Sequence, residues 1–192
     1  MLTDIYRKFT PFPILTTERL TLRQLSNNDQ QNILVLRSSV EINRYLDRPI
    51  ASSIDDAVNF IKKIEENIKN DKAVYWVITL TETKTFVGTI CLFDFSNGNT
   101  GCEIGYELLT EFQGRGIMKE AAEKVIDYAF EILLVKKIVA FTHVGNQHSN
   151  KLLTKLNFIK SIKVDNENAD FDIYSLIYSH WQTKTTFTDL SS

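Results

Sequence analysis

The chain has 192 residues, and its 22 Lys and Arg against 24 Asp and Glu give a net charge of −2. This balance argues against broad nucleic-acid binding, which depends on an excess of cations, and no apolar run approaches the ~20 residues of a membrane span. The two cysteines, Cys91 and Cys102, cannot form a disulfide framework, and the N-terminus carries no secretory signal. With 43% hydrophobic residues, the sequence is expected to fold as one soluble, cytoplasmic domain.

The first half of the chain predicts a strand followed by two helices. Residues 19–23 alternate between polar and apolar types, which is typical of a strand with one buried face. Residues 26–29 are of the types that cap helices, and they precede an apolar-spaced segment that reaches Val40. Residues 52–56 open a second helix in the same way, with apolar positions that continue to Ile68.

The middle of the chain is rich in residues that favour strands. Residues 74–80 and 86–93 predict a hairpin, and residues 101–109 follow as a third strand. The pattern then becomes helical through residues 121–133, where apolar side chains recur with a helical spacing.

The last third of the chain alternates between strand and helix. Residues 137–142 predict a buried strand, residues 149–156 a helix, and residues 172–178 a final strand. An antiparallel meander followed by these alternating elements predicts a mixed α/β (α+β) fold with a central sheet flanked by helices.

Two glycines between the third strand and the long helix suggest an anion site. Gly114 and Gly116 flank Arg115, so successive backbone N–H groups can converge on an anion without a Cβ in the way. The helix that follows adds its own unpaired N–H groups and the positive end of its dipole. A pyrophosphate suits this arrangement, with an ordinary tight turn as the alternative. A P-loop is excluded because no Gly-Lys-Ser/Thr follows.

A second segment of interest follows the strand at residues 137–142. It begins with Asn146 and continues through Ser149 into a helical pattern. Asn and Ser are common helix-capping residues, so the simplest interpretation of both is the start of a helix.

Both segments belong to a wider set of motifs. The segment Gln113-Gly114-Arg115-Gly116-Ile117-Met118 matches the pattern Gln/Arg-x-x-Gly-x-Gly/Ala, except that Met118 stands at the final small-residue position. Further motifs are Thr17-Glu18-Arg19-Leu20-Thr21-Leu22-Arg23, Val87-Gly88-Thr89-Ile90, Glu103-Ile104-Gly105-Tyr106 and the Asn-x-x-Ser from Asn146 to Ser149. Together they resemble the GNAT superfamily of N-acetyltransferases, and within it the RimJ/RimL branch that acetylates ribosomal-protein N-termini. Where that branch has Leu-Gly-Phe, this chain has Leu156-Asn157-Phe158, and Asn is the common substitute for Gly in a left-handed conformation.

The resemblance implies a GNAT fold, which has a mixed, mostly antiparallel central sheet of about six to seven strands flanked by helices. Two adjacent parallel strands, here 103–109 and 137–142, would be splayed apart at the cofactor site. The resemblance covers residues 15–178 as a single N-acetyltransferase domain. Residues 1–14 would then be an N-terminal extension and residues 179–192 a C-terminal tail.

The resemblance also implies acetyl-CoA as the co-substrate, without a metal. Leu108 would offer main-chain groups to the pantetheine or to the thioester oxygen. The pyrophosphate would be bound by main-chain N–H groups of the glycine loop, residues 113–118. This loop consists of Gln113, Gly114, Arg115, Gly116, Ile117 and Met118. Asn146 would contact the pantetheine region, and Lys151 would reach the adenosine phosphates.

Direct transfer to an amine needs a base for the amine and an acid for the departing thiolate. The resemblance places a carboxylate at Glu103, the candidate base, and Glu107 is the competitor because it shares the same strand face. Ser149 is the candidate acid, with Tyr106 or solvent as the alternatives.

The acceptor is expected to be the α-amine of a protein or peptide. At pH 7 an α-amine with a pKa of about 8 is roughly one-tenth neutral, whereas a lysine amine is neutral in only a few parts in ten thousand. A small-molecule amine acetyltransferase and a non-catalytic acyl-CoA-binding sensor on the same fold are the alternatives. The protein would act as a monomer or a homodimer.

Overall fold

A computed structural model describes residues 7–96, 98, 100–161 and 170–182 of the chain. Its strands are β1 (Leu15–Thr16), β2 (Leu20–Gln24), β3 (Val74–Leu80), β4 (Phe86–Phe93), β5 (Cys102–Leu108), β6 (Lys137–His143), β7 (Ile159–Lys160) and β8 (Phe171–Ile177). Its α-helices are α1 (Gln30–Ser38), α2 (Val40–Asn43), α3 (Ile54–Lys69), α4 (Ile117–Asp127) and α5 (Gln147–Lys155). A π-helical turn, Tyr128–Ile132, continues α4, and residues 178–182 are helical.

The strands form one mixed sheet in the order β1-β2-β3-β4-β5-β6-β8-β7. All neighbours are antiparallel except β5 and β6, which are parallel. The mixed, mostly antiparallel sheet is therefore confirmed, with eight strands in the described residues rather than six to seven. The two strands that the sequence pattern did not predict, β1 and β7, have only two residues each, which is too short for a periodic signal.

The parallel pair opens soon after it begins. Cys102 and Glu103 of β5 pair with Ile138 and Val139 of β6. Beyond these positions β5 continues to Leu108 and β6 to His143. The predicted splay between the two strands is therefore present, and it forms a gap in the centre of the sheet.

The helices cover the sheet with apolar faces set by their sequence. The N-cap of α3 is Ser53, whose hydroxyl accepts from the N–H of Asp56 while the Asp56 carboxylate reaches back to the cap. Ala57, Ile61 and Ile68 of this helix are buried. Full burial of an Ile side chain stabilises the fold by roughly 1.5–3 kcal/mol, so packing rather than propensity holds α3 in place.

The described parts of both terminal segments pack against the sheet and α4. Phe9 is 1% exposed, and the indole N–H of Trp76 donates to the carbonyl of Pro13 at 2.6 Å. The indole N–H of Trp181 donates to Asp127 at 2.7 Å. Residues 1–6 of the predicted extension and 183–192 of the predicted tail lie outside the described residues. The division at residues 14 and 178 stays a prediction. Among the described helices, none is long and apolar enough to cross a membrane.

Candidate active site

Side chains on the two faces of β5 contact different parts of the chain, because successive side chains of a strand point to opposite faces. On one face, Tyr106 reaches Ser149 on α5. On the other face, Glu107 reaches Arg48 in the segment between α2 and α3. The gap is therefore bounded by α5 on one side of the sheet and by the segment between α2 and α3 on the other, which is called the α1–α3 side.

The glycine loop leads from the end of β5 into α4. Gly114 and Gly116 have φ values of +74° and +75°, a left-handed conformation that glycine adopts without strain. Gly116 is the N-cap of α4, so the first N–H groups of the helix have no partner within it. Ile117 and Met118 are buried in the core, which leaves only their backbone for the outer side of the loop. The side chain of the unusual Met118 thus fills core space and leaves the outer side of the loop open.

A polar network joins the glycine loop and α4 to the turn between β1 and β2. The Arg19 guanidinium donates to the carbonyl of Arg115 at 3.2 Å and forms a 2.6 Å ion pair with Glu120 on α4. The hydroxyl of Thr17 donates to the same carboxylate. The sequence reasoning quoted Thr17–Arg23 as a motif and assigned it no role. Thr17 and Arg19 lie in the turn between β1 and β2, and their contact with Glu120 depends on how the chain folds rather than on a local pattern.

Of the two predicted capping residues at the start of α5, Asn146 caps the helix, whereas the side chain of Ser149 contacts Tyr106. The side-chain oxygen of Asn146 accepts from the N–H of Ser149 at 3.1 Å, so Asn146 caps the helix. The hydroxyl of Ser149 lies 2.8 Å from that of Tyr106. Lys151 is exposed on the same helix, and Asn157 beyond its end has a φ of +64°, the left-handed conformation expected of it.

Glu103 lies in a cleft of about 490 Å³ at the paired end of β5. Burial and the neighbouring carboxylate of Asp94 raise the pKa of Glu103 to about 7. The cleft is also lined by Asn67 of α3, which places Glu103 on the α1–α3 side of the sheet. A carboxyl with a pKa near neutrality can accept and release a proton at physiological pH.

Glu107 is held in an ion pair. Its two oxygens accept from the two terminal nitrogens of Arg48 at 2.5 and 2.8 Å. The exposed fractions of the two side chains are 18% for Arg48 and 16% for Glu107. The sequence placed both glutamates on one face, and the structure gives them very different surroundings.

Two buried polar atoms, one on β6 and one on α5, have no hydrogen-bond partner among the described residues. They are Oγ1 of Thr142 on β6 and Oδ1 of Asn150 on α5. Buried polar atoms are almost always paired, so such atoms commonly mark a place where a ligand or water binds. The sequence reasoning missed both residues, because nothing in their local pattern distinguishes them from ordinary strand and helix positions.

Comparison with known proteins identifies the family. The Acetyltransferase (GNAT) domain family matches residues 19–159. The chain is a GNAT acetyltransferase. It is 34% identical over 149 residues to the Uncharacterized N-acetyltransferase YoaA of Bacillus subtilis (strain 168), a match that covers 78% of this chain and 84% of that relative.

This acetyltransferase also resembles proteins with named acceptors. It is 25% identical over 193 residues to the [Ribosomal protein uS5]-alanine N-acetyltransferase of Escherichia coli (strain K12), with 92% of this chain and 96% of that one covered. Its fold matches RimL, a ribosomal L7/L12 alpha-N-protein acetyltransferase solved in complex with coenzyme A. The TM-score is 0.76 at 21% identity, over 86% of this chain and 98% of that one. At this identity the structural match establishes the fold alone.

The co-substrate of this acetyltransferase is acetyl-CoA. The residues present fit it on three counts, namely a gap between two parallel strands, a left-handed glycine loop at a helix N-terminus, and unpaired polar atoms at Thr142 and Asn150. Backbone N–H groups at the start of α4 suit a pyrophosphate. Within the described residues, no group of three or more His, Cys, Asp or Glu side chains is arranged to hold a metal ion.

Proposed function

We propose that this acetyltransferase moves the acetyl group of acetyl-CoA directly to the α-amine of a protein or peptide. The observation that carries the proposal is the Glu103 carboxyl, whose pKa of about 7 suits a base. It lies on the α1–α3 side of the sheet, opposite the α5 face where Tyr106 and Ser149 meet. The similarity to an alanine N-acetyltransferase supports an α-amine as the acceptor.

Acetyl-CoA is bound by the backbone of the glycine loop and by groups along the gap. The N–H groups of Gly114 to Met118 bind the pyrophosphate, and the main chain of Leu108 binds the pantetheine or the thioester oxygen. Gln113 holds the position of Leu108, because its side-chain amide donates to the Leu108 carbonyl at 3.1 Å. Asn146 contacts the pantetheine region and Lys151 the adenosine phosphates. A main-chain donor aimed at a developing oxyanion lowers a barrier by about 3 kcal/mol.

Proton transfer is divided between the two faces of β5. The thioester of acetyl-CoA supplies an activated acetyl group, so that a C–N bond forms as the C–S bond breaks. Glu103 accepts the proton that the amine nitrogen loses, directly or through water. Ser149 donates a proton to the sulfur, and Tyr106 in turn can restore it through their shared hydrogen bond. Because Arg48 occupies both oxygens of Glu107, we assign the base to Glu103.

The chemistry of the acceptor supports an α-amine over a lysine side chain. A single carboxyl of pKa about 7 is a weak base and acts efficiently only on an amine that is already partly neutral. At pH 7 roughly one-tenth of an α-amine is neutral, against a few parts in ten thousand of a lysine amine.

A set of matched acceptors tests this proposal. The first is a peptide with a free α-amine and no lysine, the second is the same peptide with a blocked N-terminus and one lysine, and the third is spermidine. Thiol release from acetyl-CoA and the mass of the product are measured for each. We expect release with the first peptide only. Release with only the second or third would overturn the α-amine assignment, and binding of acetyl-CoA without release from any amine would favour a sensor.

A further inference from the structure

The segment between α2 and α3, residues 44–53, contacts both strands that border the gap. Arg48 of this segment forms the two-pronged ion pair with Glu107 of β5. Tyr45 of the same segment packs its ring against His143 at the end of β6, with the ring centroids 5.2 Å apart. A short stretch of chain therefore spans the gap from one splayed strand to the other.

Arg48 is fixed from its other side as well. Its Nε donates to the side-chain oxygen of Asn43 at 2.7 Å. Asn43 is buried, and its amide nitrogen donates to the carbonyls of Leu36 and Ser39. The guanidinium thus joins the end of α2 to β5 through three donors whose direction is set by its planar geometry.

The ion pair acts on the part of β5 that borders the gap. Glu107 precedes Leu108, and it lies beyond the last paired position of β5 and β6 at Glu103 and Val139. On its other edge, β5 packs closely on Gly88 of β4, because a Cβ at Gly88 would overlap the carbonyl of Glu107. At Glu107, β5 therefore pairs with β4 along one edge and borders the gap along the other. Arg48 holds the Glu107 side chain on one face of the sheet.

The geometry points to Arg48 as a positioning residue for acetyl-CoA: together with Tyr45, it sets the position of β5 at Leu108 and the width of the gap. This inference rests on the proposed function only in assigning the Leu108 main chain to the co-substrate. It also gives Glu107 a role, which is to receive Arg48.

The matched control is a second two-pronged ion pair away from the gap. Arg23 donates to the two oxygens of Asp29 at 2.9 and 2.7 Å, with exposed fractions of 35% and 3%. Arg48→Gln and Arg23→Gln each remove one arginine from such a pair. Both are expected to lower the thermal midpoint, so stability alone does not separate a positioning role from a structural one.

The test is direct binding of acetyl-CoA, measured by calorimetry on the folded full-length chain without an acceptor. We expect Arg48→Gln to raise the dissociation constant by about tenfold, as befits loss of a charged hydrogen-bonded partner, while Arg23→Gln changes it by less than about twofold. Arg48→Lys keeps the positive charge but loses the planar, two-pronged geometry of the guanidinium, so its dissociation constant should lie between those of Arg48→Gln and Arg23→Gln. Wild-type affinity in folded Arg48→Gln would overturn the inference. If Arg48→Gln does not fold, Glu107→Gln is measured with the same criteria.

This readout is separate from the proposed function. An α-amine assignment that fails would leave acetyl-CoA binding and its dependence on Arg48 unchanged. Conversely, a protein that acetylates α-amines while Arg48→Gln binds acetyl-CoA normally would keep the proposed function and lose the positioning role.

Discussion

The hydroxyl of Tyr106 lies 2.8 Å from the hydroxyl of Ser149, where β5 faces the first turn of α5. Burial raises the pKa of Tyr106 to about 12, and the hydrogen bond with Ser149 acts in the opposite sense. Both hydroxyls therefore keep their protons at neutral pH. In the proposed mechanism, a proton that Ser149 gives to a thiolate would be restored from Tyr106, and the two residues would form a short relay.

The relay predicts unequal effects of removing its two members. Ser149→Ala should lower kcat by about 100-fold, the lower limit of what a general acid contributes. Tyr106→Phe should lower kcat by only about tenfold, since it removes one hydrogen bond and leaves the donor in place. The double variant should be no slower than Ser149→Ala, because Tyr106 acts through Ser149.

Steady-state kinetics with saturating acetyl-CoA measure these effects, and Ser38→Ala, which removes an exposed hydroxyl on α1, is the control. Unchanged kcat in Ser149→Ala, with acetyl-CoA still bound, would exclude Ser149 as the acid. Additive losses in the double variant would contradict the relay.

The pKa of Glu103 predicts the shape of the acidic limb of the pH–rate profile. Its pKa of about 7 means that kcat/KM should rise with pH through about 7, as the carboxyl loses its proton and becomes able to accept one. The acceptor α-amine adds a second rise near a pH of about 8. In Glu103→Gln the first rise should be absent and the second should remain. A profile that keeps its first rise in Glu103→Gln would assign the base to another group.

The raised pKa of Glu103 also predicts that the stability of the protein changes with pH. The pKa of Glu103 is raised from 4.5 to about 7 by burial and by Asp94, so the folded protein holds a proton that the unfolded chain has released. Where the unfolded state binds fewer protons, stability falls as pH rises. The free energy of unfolding of the wild type, relative to Glu103→Gln, should therefore fall between about pH 4.5 and about pH 7.

Denaturant unfolding at several pH values across this window measures the difference between the two proteins. The comparison with Glu103→Gln is necessary because other carboxyls act in the opposite direction: Arg23 and Ser26, for example, hold the pKa of Asp29 below its usual value. A difference that is constant across the window would show that Glu103 does not titrate in it.

The glycine loop provides a matched pair of substitutions. Gly114 and Gly98 both have left-handed backbones, with φ values of +74° and +69°, and a Cβ at either would meet nothing within 4 Å. Alanine at each site should therefore cost a similar conformational strain, roughly 1–2 kcal/mol. Only Gly114→Ala should also weaken acetyl-CoA binding, by about tenfold or more, because relaxation of its backbone turns N–H groups away from the pyrophosphate.

Calorimetric titration with acetyl-CoA separates the two variants, and thermal unfolding shows that they are comparably destabilised. Equal affinities for acetyl-CoA in Gly114→Ala and Gly98→Ala would remove the glycine loop from the binding site.

The parts of the fold that the sequence predicted are those with local signals. The six strands of five or more residues have alternating or continuous apolar patterns, whereas β1 and β7, with two residues each, have none. The four-residue helix α2 was also missed, because four residues do not complete a period that can be recognised. The glycine loop was predicted because its glycines, its strand and its helix are contiguous in sequence.

The contacts that the sequence could not reveal join distant parts of the chain. Arg48 and Glu107 are 59 positions apart, and Tyr106 and Ser149 are 43 apart. Glu103 was the candidate base because of the family resemblance, and Glu107 was its competitor because strand alternation places it on the same face. Only the fold shows that one meets an arginine and the other a carboxylate. Such differences in environment arise from topology, which a single sequence does not encode locally.

The most direct test of the account is titration of the purified protein with acetyl-CoA while free thiol is monitored, first without an acceptor and then with lysine-free peptides that have a free α-amine. The account predicts saturable binding in both cases and thiol release only when the peptide is present, with the acetyl group on the peptide N-terminus. Binding without release from any such peptide would contradict the proposed acceptor. Absence of acetyl-CoA binding would contradict the assignment of the gap and the glycine loop, and with them the central claim.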